Sequence, residues 1–390
     1  MRIAIITSGM LPVPAVQGGA VENLIDYLLE FNNQKQLHDI TIYSAFHHKV
    51  KKHHALQSIA NHYEYIHTRS LLFKIGAKLF ARKQHTDYYY YQIEYFLECA
   101  IKKMSRRSFD LIIIENRPGF AIRLSQVFTT PIITHIHTNL LHIPSEENYE
   151  VLKATKGFIV VSEYIKDEIN KLGIKKNIKV VYNGLDTRIF CKTSIKPIQR
   201  EEFGLSKNDF VVIYWGRLVP EKGIKDLLLA MLKLKCHKDI KLMVIGSVNY
   251  EDSKDNTSAF LEELKELSLK TNKSIIFTGY IPYKKIPNYL SIANVAVIPS
   301  QINEAFGMTC IEACAMGLPV IATKDGGIPE ALYGQKHILL DKNSYLPQTI
   351  YDAILKIKNN YSQFEGNFLS SVFQKEHFAD TFFSSLSSFQ

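Results

Sequence analysis

Two glutamates eight residues apart frame the stretch of this chain best suited to chemistry. Asn303-Glu304-Ala305-Phe306-Gly307-Met308-Thr309-Cys310-Ile311-Glu312 follows an apolar strand, Val295–Pro299, and opens a helix expected from about Thr309 to Met316. Gly307 lets backbone amides approach a ligand closely, and a helix start presents N–H groups without intrahelical partners. A carboxylate on either side of such a turn suits a ligand carrying both hydroxyls and phosphates. Glu304 lies in a loop just after a buried strand, where α/β proteins place their chemistry. Glu312 has two readings: a ligand contact, or the third-position acid of a Thr309-x-x-Glu312 capping box.

A second group follows the strand Phe210–Trp215. In Gly216-Arg217-Leu218-Val219-Pro220-Glu221-Lys222-Gly223, Arg217 and Lys222 are expected at the carboxyl edge of a sheet. A planar guanidinium fork and a compact ammonium there can neutralise a diphosphate without a metal. The alternative is a solvated Glu221–Lys222 pair. Gly18 and Gly19, between the first strand and first helix, permit close approach to a phosphate or sugar, or simply serve the loop. They lack the full G-x-G-x-x-G of a dinucleotide site. In Thr134-His135-Ile136-His137, strand alternation sends both histidines to one face, with His137 at the strand end. A zinc site would need a third ligand, and the sequence offers no convincing one. Asn183 and Gly184 form a turn signal that also allows a cleft position, and Tyr280 and Ile281 are further cleft candidates. No Asp-x-Asp, Walker A, Ser-His-Asp order or zinc-ribbon spacing occurs, so no metal or cofactor is expected.

The elements that must hold these groups alternate. Strands are expected at Arg2–Thr7, Asp39–Tyr43, Tyr63–His67, Asp110–Glu115, Ile132–His137, Gly157–Val161 and Ile178–Tyr182. Helices lie between them at Ala20–Phe31, Thr86–Met104, Phe120–Val127 and Glu163–Lys171. The rhythm lapses at the polar stretch Cys191–Arg200 and restarts. Further strands are expected at Phe210–Trp215, Lys241–Ile245, Ser274–Thr278, Val295–Pro299, Pro319–Ala322 and Ile338–Leu340. Their helices are Ile224–Leu234, Ala259–Leu269, Ile286–Ser291, Thr309–Met316, Pro329–Leu332 and Leu346–Ile357. This is α/β architecture: two Rossmann-like, doubly wound parallel-sheet domains, residues 1–190 and 191–367, with the default site in a cleft between them. Phe368–Phe389 reads as an amphipathic helix. Tyr88–Tyr91 is an aromatic run read as packing with an interfacial face.

Composition fits a soluble enzyme: 390 residues, 46% hydrophobic and 22% charged. The opening segment reads as a strand rather than a signal peptide. Five cysteines without CxxC pairing point to a reducing, cytoplasmic setting. Of the net charge of +9, the first 190 residues carry +7 (24 Lys+Arg against 17 Asp+Glu). That excess suits an anionic surface, or serves solubility. Leu71–Lys83 combines an apolar face with four cations, as a membrane-surface helix does, or else covers the sheet.

Taken together, Gly18-Gly19, His137, Ser162-Glu163, Asn183-Gly184-Leu185-Asp186, Gly216-Arg217 to Lys222-Gly223, and Glu304 to Glu312 carry a resemblance. The chain resembles the retaining GT-B glycosyltransferases of family 4 (group 1), of the bacterial surface-polysaccharide type. The resemblance implies a donor-binding second domain in which Arg217 and Lys222 hold the diphosphate. Glu304, with the amides of Ala305, Phe306, Gly307, Met308 and Thr309, would hold the donor sugar and distal phosphate. Glu312 would accept from the ribose hydroxyls, His137 would contact the sugar near the reacting carbon, and Gly18 and Gly19 would border the phosphates. The first domain would bind the acceptor, and residues from about 368 to 390 would pack back on it. The implied reaction moves a hexose or N-acetylhexosamine from a nucleotide sugar, UDP-linked by expectation, to a saccharide or polyprenyl-diphosphate-linked acceptor. Peripheral contact with the inner face of the plasma membrane fits; a nucleic-acid partner does not. Alternatives are a GT-B nucleotide-sugar 2-epimerase, which needs no acceptor, and a non-catalytic nucleotide-sugar or nucleic-acid binder.

Overall fold

The structure, a computed structural model, describes residues 1–84, 91–193, 195–196, 198–247 and 259–389. The start of the helix expected from Thr86, and Tyr88–Tyr90 of the aromatic run, lie outside them. The chain divides into two units, Met1–Gly184 with Lys375–Gln390, and Leu185–Gln374. The division falls just after Gly184, and the return to the first unit begins at Lys375.

Unit 1 is built on seven parallel strands: β1 Arg2–Ile6, β2 Asp39–Ala45, β3 Asn61–Ile66, β4 Leu111–Glu115, β5 Ile132–Ile136, β6 Gly157–Val160 and β7 Asn177–Val180. Their order is β3-β2-β1-β4-β5-β6-β7. Helices α1 Ala20–Lys35, α2 Leu71–Gln84, α3 Tyr91–Met104, α4 Phe120–Ser125, α5 Glu146–Ala154 and α6 Glu163–Asn170 connect them. Parallel strands covered on both faces need apolar residues at nearly every position, and β1 (Arg-Ile-Ala-Ile-Ile) and β4 (Leu-Ile-Ile-Ile-Glu) show this. One core face holds Ile3, Ile5, Leu28, Ile113 and Ile133; the other holds Ala4, Ile6, Ile112, Ile114 and Phe96.

Unit 2 carries β8 Phe210–Trp215, β9 Ile240–Ile245, β10 Ile275–Gly279, β11 Val295–Ile298, β12 Val320–Thr323 and β13 His337–Leu340, in the order β10-β9-β8-β11-β12-β13. Its helices are α7 Ile224–Lys233, α8 Ala259–Leu269, α9 Ile286–Leu290, α10 Met308–Ala315, α11 Ile328–Ala331, α12 Leu346–Asn359 and α13 Tyr361–Phe364. In each sheet the strand order reverses once, beside β1 and β4 in unit 1 and beside β8 and β11 in unit 2. Such reversals open a crevice at the carboxyl ends of the strands.

The last helix, α14 Lys375–Ser385, returns to unit 1. Phe378, Phe382 and Phe383 join the core with Ile3 and Ile25, and Lys375 Nζ lies 2.7 Å from the Glu30 carboxylate. The expected helix over Phe368–Phe389 therefore begins later: Phe368 is exposed in an irregular stretch before it, and Val372 in a short 3-10 turn, Ser371–Phe373. Asn367 holds that stretch to unit 2 by donating to the carbonyls of Leu318 (2.7 Å) and Lys336 (2.9 Å).

Candidate active site

The unit 2 crevice gathers loops that follow β8, β9, β11 and β12. They touch so closely that side chains are excluded between them. A Cβ on Gly223 (φ +67°) would lie 1.7 Å from the Pro299 carbonyl oxygen, and one on Gly326 (φ +50°) 2.0 Å from that of Glu304. The first contact locks the loop carrying Arg217 and Lys222 against the end of β11. The second packs the loop after β12 under Glu304. The structure thereby brings Lys222 to Glu304: Nζ and Oε2 form a direct ion pair, with about a quarter to a third of each side chain exposed. The Glu304 N–H donates to Asp325 Oδ2 (2.9 Å), and Asp325 is itself buried and paired with Lys342. Arg217 is exposed, and its carbonyl accepts from the Tyr214 hydroxyl at 2.8 Å.

Helix α10 starts at Met308 behind Gly307, whose φ of +104° makes it the N-cap. The capping-box reading of Thr309 and Glu312 is therefore not met. Thr309 lies inside the helix, no side chain caps it, and the Glu312 carboxylate turns into the core instead. There Oε2 accepts from Trp215 Nε1 (2.7 Å) and Oε1 from the Tyr283 hydroxyl (3.1 Å). Burial pushes the Glu312 carboxyl up to about 7, against the lowering effect of these two donors. Ala305, Phe306 and Gly307 are buried in the turn, and Met308 and Thr309 half-buried at the helix start. Cys310 and Cys314 are buried in α10 as small apolar groups, and all five cysteines are free. Tyr280 and Ile281 follow β10, which adjoins β9, at the same carboxyl edge.

In unit 1, Gly18 and Gly19 both have left-handed φ (+79° and +105°) between β1 and α1. A Cβ on Gly19 would lie 2.1 Å from Glu22 Oε2, so this carboxylate folds over the glycine backbone. Glu22 is 6% exposed, and burial, with a contribution from the Glu115 charge, pushes its carboxyl up to about 7. His135 and His137 share a face and meet there a group the sequence did not reveal. Glu115, at the end of β4, is fully buried, with Oε2 3.1 Å from His135 Nδ1 and 3.0 Å from His137 Nε2. The third candidate metal ligand that the sequence did not offer is thus Glu115, although here its carboxylate is hydrogen-bonded to both imidazoles. Burial raises the Glu115 carboxyl, but the two imidazoles more than offset this and leave it at about 2. Burial and the neighbouring His135 lower His137 to about 4. Asn183 is buried at the end of unit 1, and Gly184 closes the unit. A separate cavity of about 990 Å³ opens among α2, α3, α4 and α5. Apolar Phe80, Leu97 and Phe120 and polar Glu94, Arg117 and Arg123 are among the residues that line it.

Two family models divide the chain between them. Residues 34–189 match Glycosyltransferase Family 4, and residues 195–365 match Glycosyl transferases group 1. The chain belongs to the group 1/family 4 glycosyltransferases. It is 28% identical to YtcC of Bacillus subtilis (strain 168) over 345 residues, which is 85% of this chain and 77% of that protein. It is 30% identical to lipopolysaccharide 1,2-N-acetylglucosaminetransferase of Salmonella typhimurium over 173 residues, 44% of this chain and 45% of that enzyme. Among solved structures, HepE of Anabaena in complex with UDP and glucose superposes with a TM-score of 0.71 at 19% identity, covering all of both chains. The fold of this glycosyltransferase is accordingly GT-B, with two Rossmann-like parallel-sheet domains. Of the groups that the sequence did not reveal, Trp215, Tyr283, Asp325 and Glu115 act through contacts that no local spacing announces, whereas Glu22 meets Gly19 only three residues away.

Proposed function

We propose that this glycosyltransferase is a retaining enzyme. On this reading it moves a hexose or N-acetylhexosamine from a UDP-linked donor to a lipid-linked saccharide during assembly of a surface polysaccharide. The observation that carries the reading is the Lys222–Glu304 ion pair in the unit 2 crevice, with Arg217 on the same loop as Lys222 and α10 opening at Met308, shortly after Glu304. Breaking a sugar–phosphate bond leaves negative charge on the diphosphate and positive character on the sugar. Fixed cations and helix-start N–H groups stabilise the first without a divalent metal. An arriving diphosphate takes Lys222 away from Glu304, and the released carboxylate becomes an acceptor for the sugar hydroxyls. The acceptor hydroxyl attacks the face from which the nucleotide departs, and its proton passes to the leaving phosphate. Glu312 is assigned the ribose, whose hydroxyls must either reach the lone pairs that its hydrogen bonds to Trp215 and Tyr283 leave over or displace those bonds. His137 contacts the sugar, and Gly18 and Gly19 border the phosphates. Asn183, Gly184, Tyr280 and Ile281 shape the surroundings. The UDP choice draws on the nucleotide named for HepE, and the saccharide class on the name of the Salmonella enzyme.

Support for an amphiphilic acceptor comes from unit 1. Helix α2 buries Phe73 and Ala77 against the core but exposes Leu71, Leu72, Ile75 and Leu79 beside the exposed cations Lys74, Lys78 and Arg82. An apolar stripe rimmed by cations suits the surface of an anionic leaflet. Phe80 on the same helix lines the 990 Å³ cavity, which offers a mixed polar and apolar wall for the acceptor. No described helix is long and apolar enough to cross a membrane.

A thermal-shift panel of UDP-, GDP- and dTDP-sugars tests the donor. A ligand at a hundred times its Kd stabilises by about 2.7 kcal/mol, so a UDP-sugar should raise Tm by several degrees. Failure of every nucleotide sugar to do so would sink the assignment. NMR of the product's anomeric carbon then tests retention. Incubation with a nucleotide sugar alone excludes epimerisation if the sugar is returned unchanged.

A further inference from the structure

The register of unit 1 places Glu115 directly opposite His135 on the adjoining strand, and His137 follows one step beyond β5. A carboxylate oxygen only accepts hydrogen bonds. It therefore takes the Nδ1–H of His135 and the Nε2–H of His137, at 3.1 and 3.0 Å. With its Nε2 so engaged, neutral His137 must carry its lone pair on Nδ1. That nitrogen is buried and has no partner among the described residues. The backbone beneath the ring is fixed as well. Asn116 adopts a left-handed φ of +53°, a region that non-glycine residues seldom occupy. Its Oδ1 accepts from the His137 N–H (3.0 Å) and the Thr138 hydroxyl (2.9 Å), while its own N–H donates to the His135 carbonyl (2.9 Å).

We infer that Glu115 is a positioning residue for transfer. Through the Nε2–H of His137 it fixes the tautomer that offers Nδ1 as an acceptor to a sugar hydroxyl. This rests on the reading of His137 as a sugar contact. It adds the group that orients the ring, the nitrogen that works, and the kind of ligand atom that nitrogen takes. In metal sites, removing the outer carboxylate that orients a histidine typically costs about 10- to 100-fold in affinity or activity, and the same order is expected for a ring oriented in the same way here.

Nitrogen-15 NMR of the full chain labelled at histidine, with the His137 signals identified by their absence in His137→Gln, reads the tautomer directly and needs no substrate. The expected result is a proton on Nε2 and none on Nδ1. A proton on Nδ1, or an imidazolium near neutral pH, overturns the inference. A double-mutant cycle then reads the coupling. Glu115→Gln should lower kcat about 10- to 100-fold with little change in donor KM. Glu115→Gln combined with His137→Gln should be no slower than His137→Gln alone. Multiplying effects would mean that Glu115 does not act through His137. Stoichiometric metal in the purified chain would also overturn the inference, because the three groups would then be ligands. If Glu115→Gln fails to fold, the tautomer of the wild-type chain still decides. If the wild-type chain transfers no sugar, the proposed function fails while the tautomer result stands by itself.

Discussion

Glu312 gives donor binding a pH dependence that can be worked through in advance. Its carboxyl sits at about 7 in the folded chain, against an ordinary 4.5, because α10 buries it. The native state thus keeps a proton that the unfolded chain releases. The sign follows: the stability from this proton is fully present below pH 4.5 and is lost as pH rises through 7. The amount is of the order of 3 kcal/mol for a shift of this size. Ribose hydroxyls need the ionised carboxylate as acceptor, so binding must expel the proton wherever the free enzyme holds it. With a value near 7, roughly a tenth of the free enzyme is ionised at pH 6 and about nine-tenths at pH 8. Affinity for a UDP-sugar should therefore rise about tenfold between these values, or about 1.4 kcal/mol. A UDP-sugar is the right ligand, since its diphosphate is diesterified and does not titrate in this range. Isothermal titration calorimetry in two buffers of different ionisation enthalpy measures both the affinity and the released proton. At pH 6.5 close to one proton, about 0.75, should leave per donor bound. Glu22 titrates in the same window in unit 1, so Glu312→Gln and Glu22→Gln are compared, and only Glu312→Gln should flatten the profile. An affinity unchanged from pH 6 to 8, or a slope that survives in Glu312→Gln, refutes the ribose assignment.

Lys222→Ala and Arg217→Ala should each lower transfer by about 10²-fold while far-ultraviolet circular dichroism stays that of the wild type, since each removes a cation from the leaving diphosphate. Wild-type turnover in either would remove the phosphate role. Gly223→Ala must force a Cβ at positive φ into the Pro299 carbonyl, and should cost about 3 kcal/mol and roughly 10 °C in Tm. An unchanged Tm would show that this loop contact is loose. Flotation with anionic liposomes at low salt should retain the wild-type chain and lose the Leu72→Glu/Leu79→Glu variant. Equal flotation of both would mean that the exposed stripe of α2 does not meet the membrane. Transfer should also persist in EDTA, and its abolition would require a metal that the cations were thought to replace.

The inner strands were legible in the sequence because a parallel strand buried on both faces is an almost unbroken apolar run, as Leu111–Ile114 is. The ion-pair site was legible for a related reason. Arg217, Lys222 and Glu304 each follow such a run closely, so the fold leaves them little choice of place. Glu312 was only half legible. Thr309 and Glu312 satisfy a local capping rule, but Gly307 ends the turn earlier and Trp215, nearly a hundred residues away, offers the carboxylate a better partner. Glu115 was hidden by its own strand, since its meaning depends on which strand lies beside it. Helix α5 was missed because Glu146, Glu147 and Asn148 open it with a polar turn. Ser145 nonetheless caps it, accepting from the Asn148 N–H at 3.1 Å.

The return of α14 to unit 1 fixes an order of events at the ribosome. Unit 2 is one continuous stretch, Leu185–Gln374, and can close as soon as it emerges. Unit 1 begins first but must wait for Phe378, Phe382 and Phe383 to complete its core. Throughout the synthesis of unit 2, the older half of the chain stands with an open apolar seam along α1.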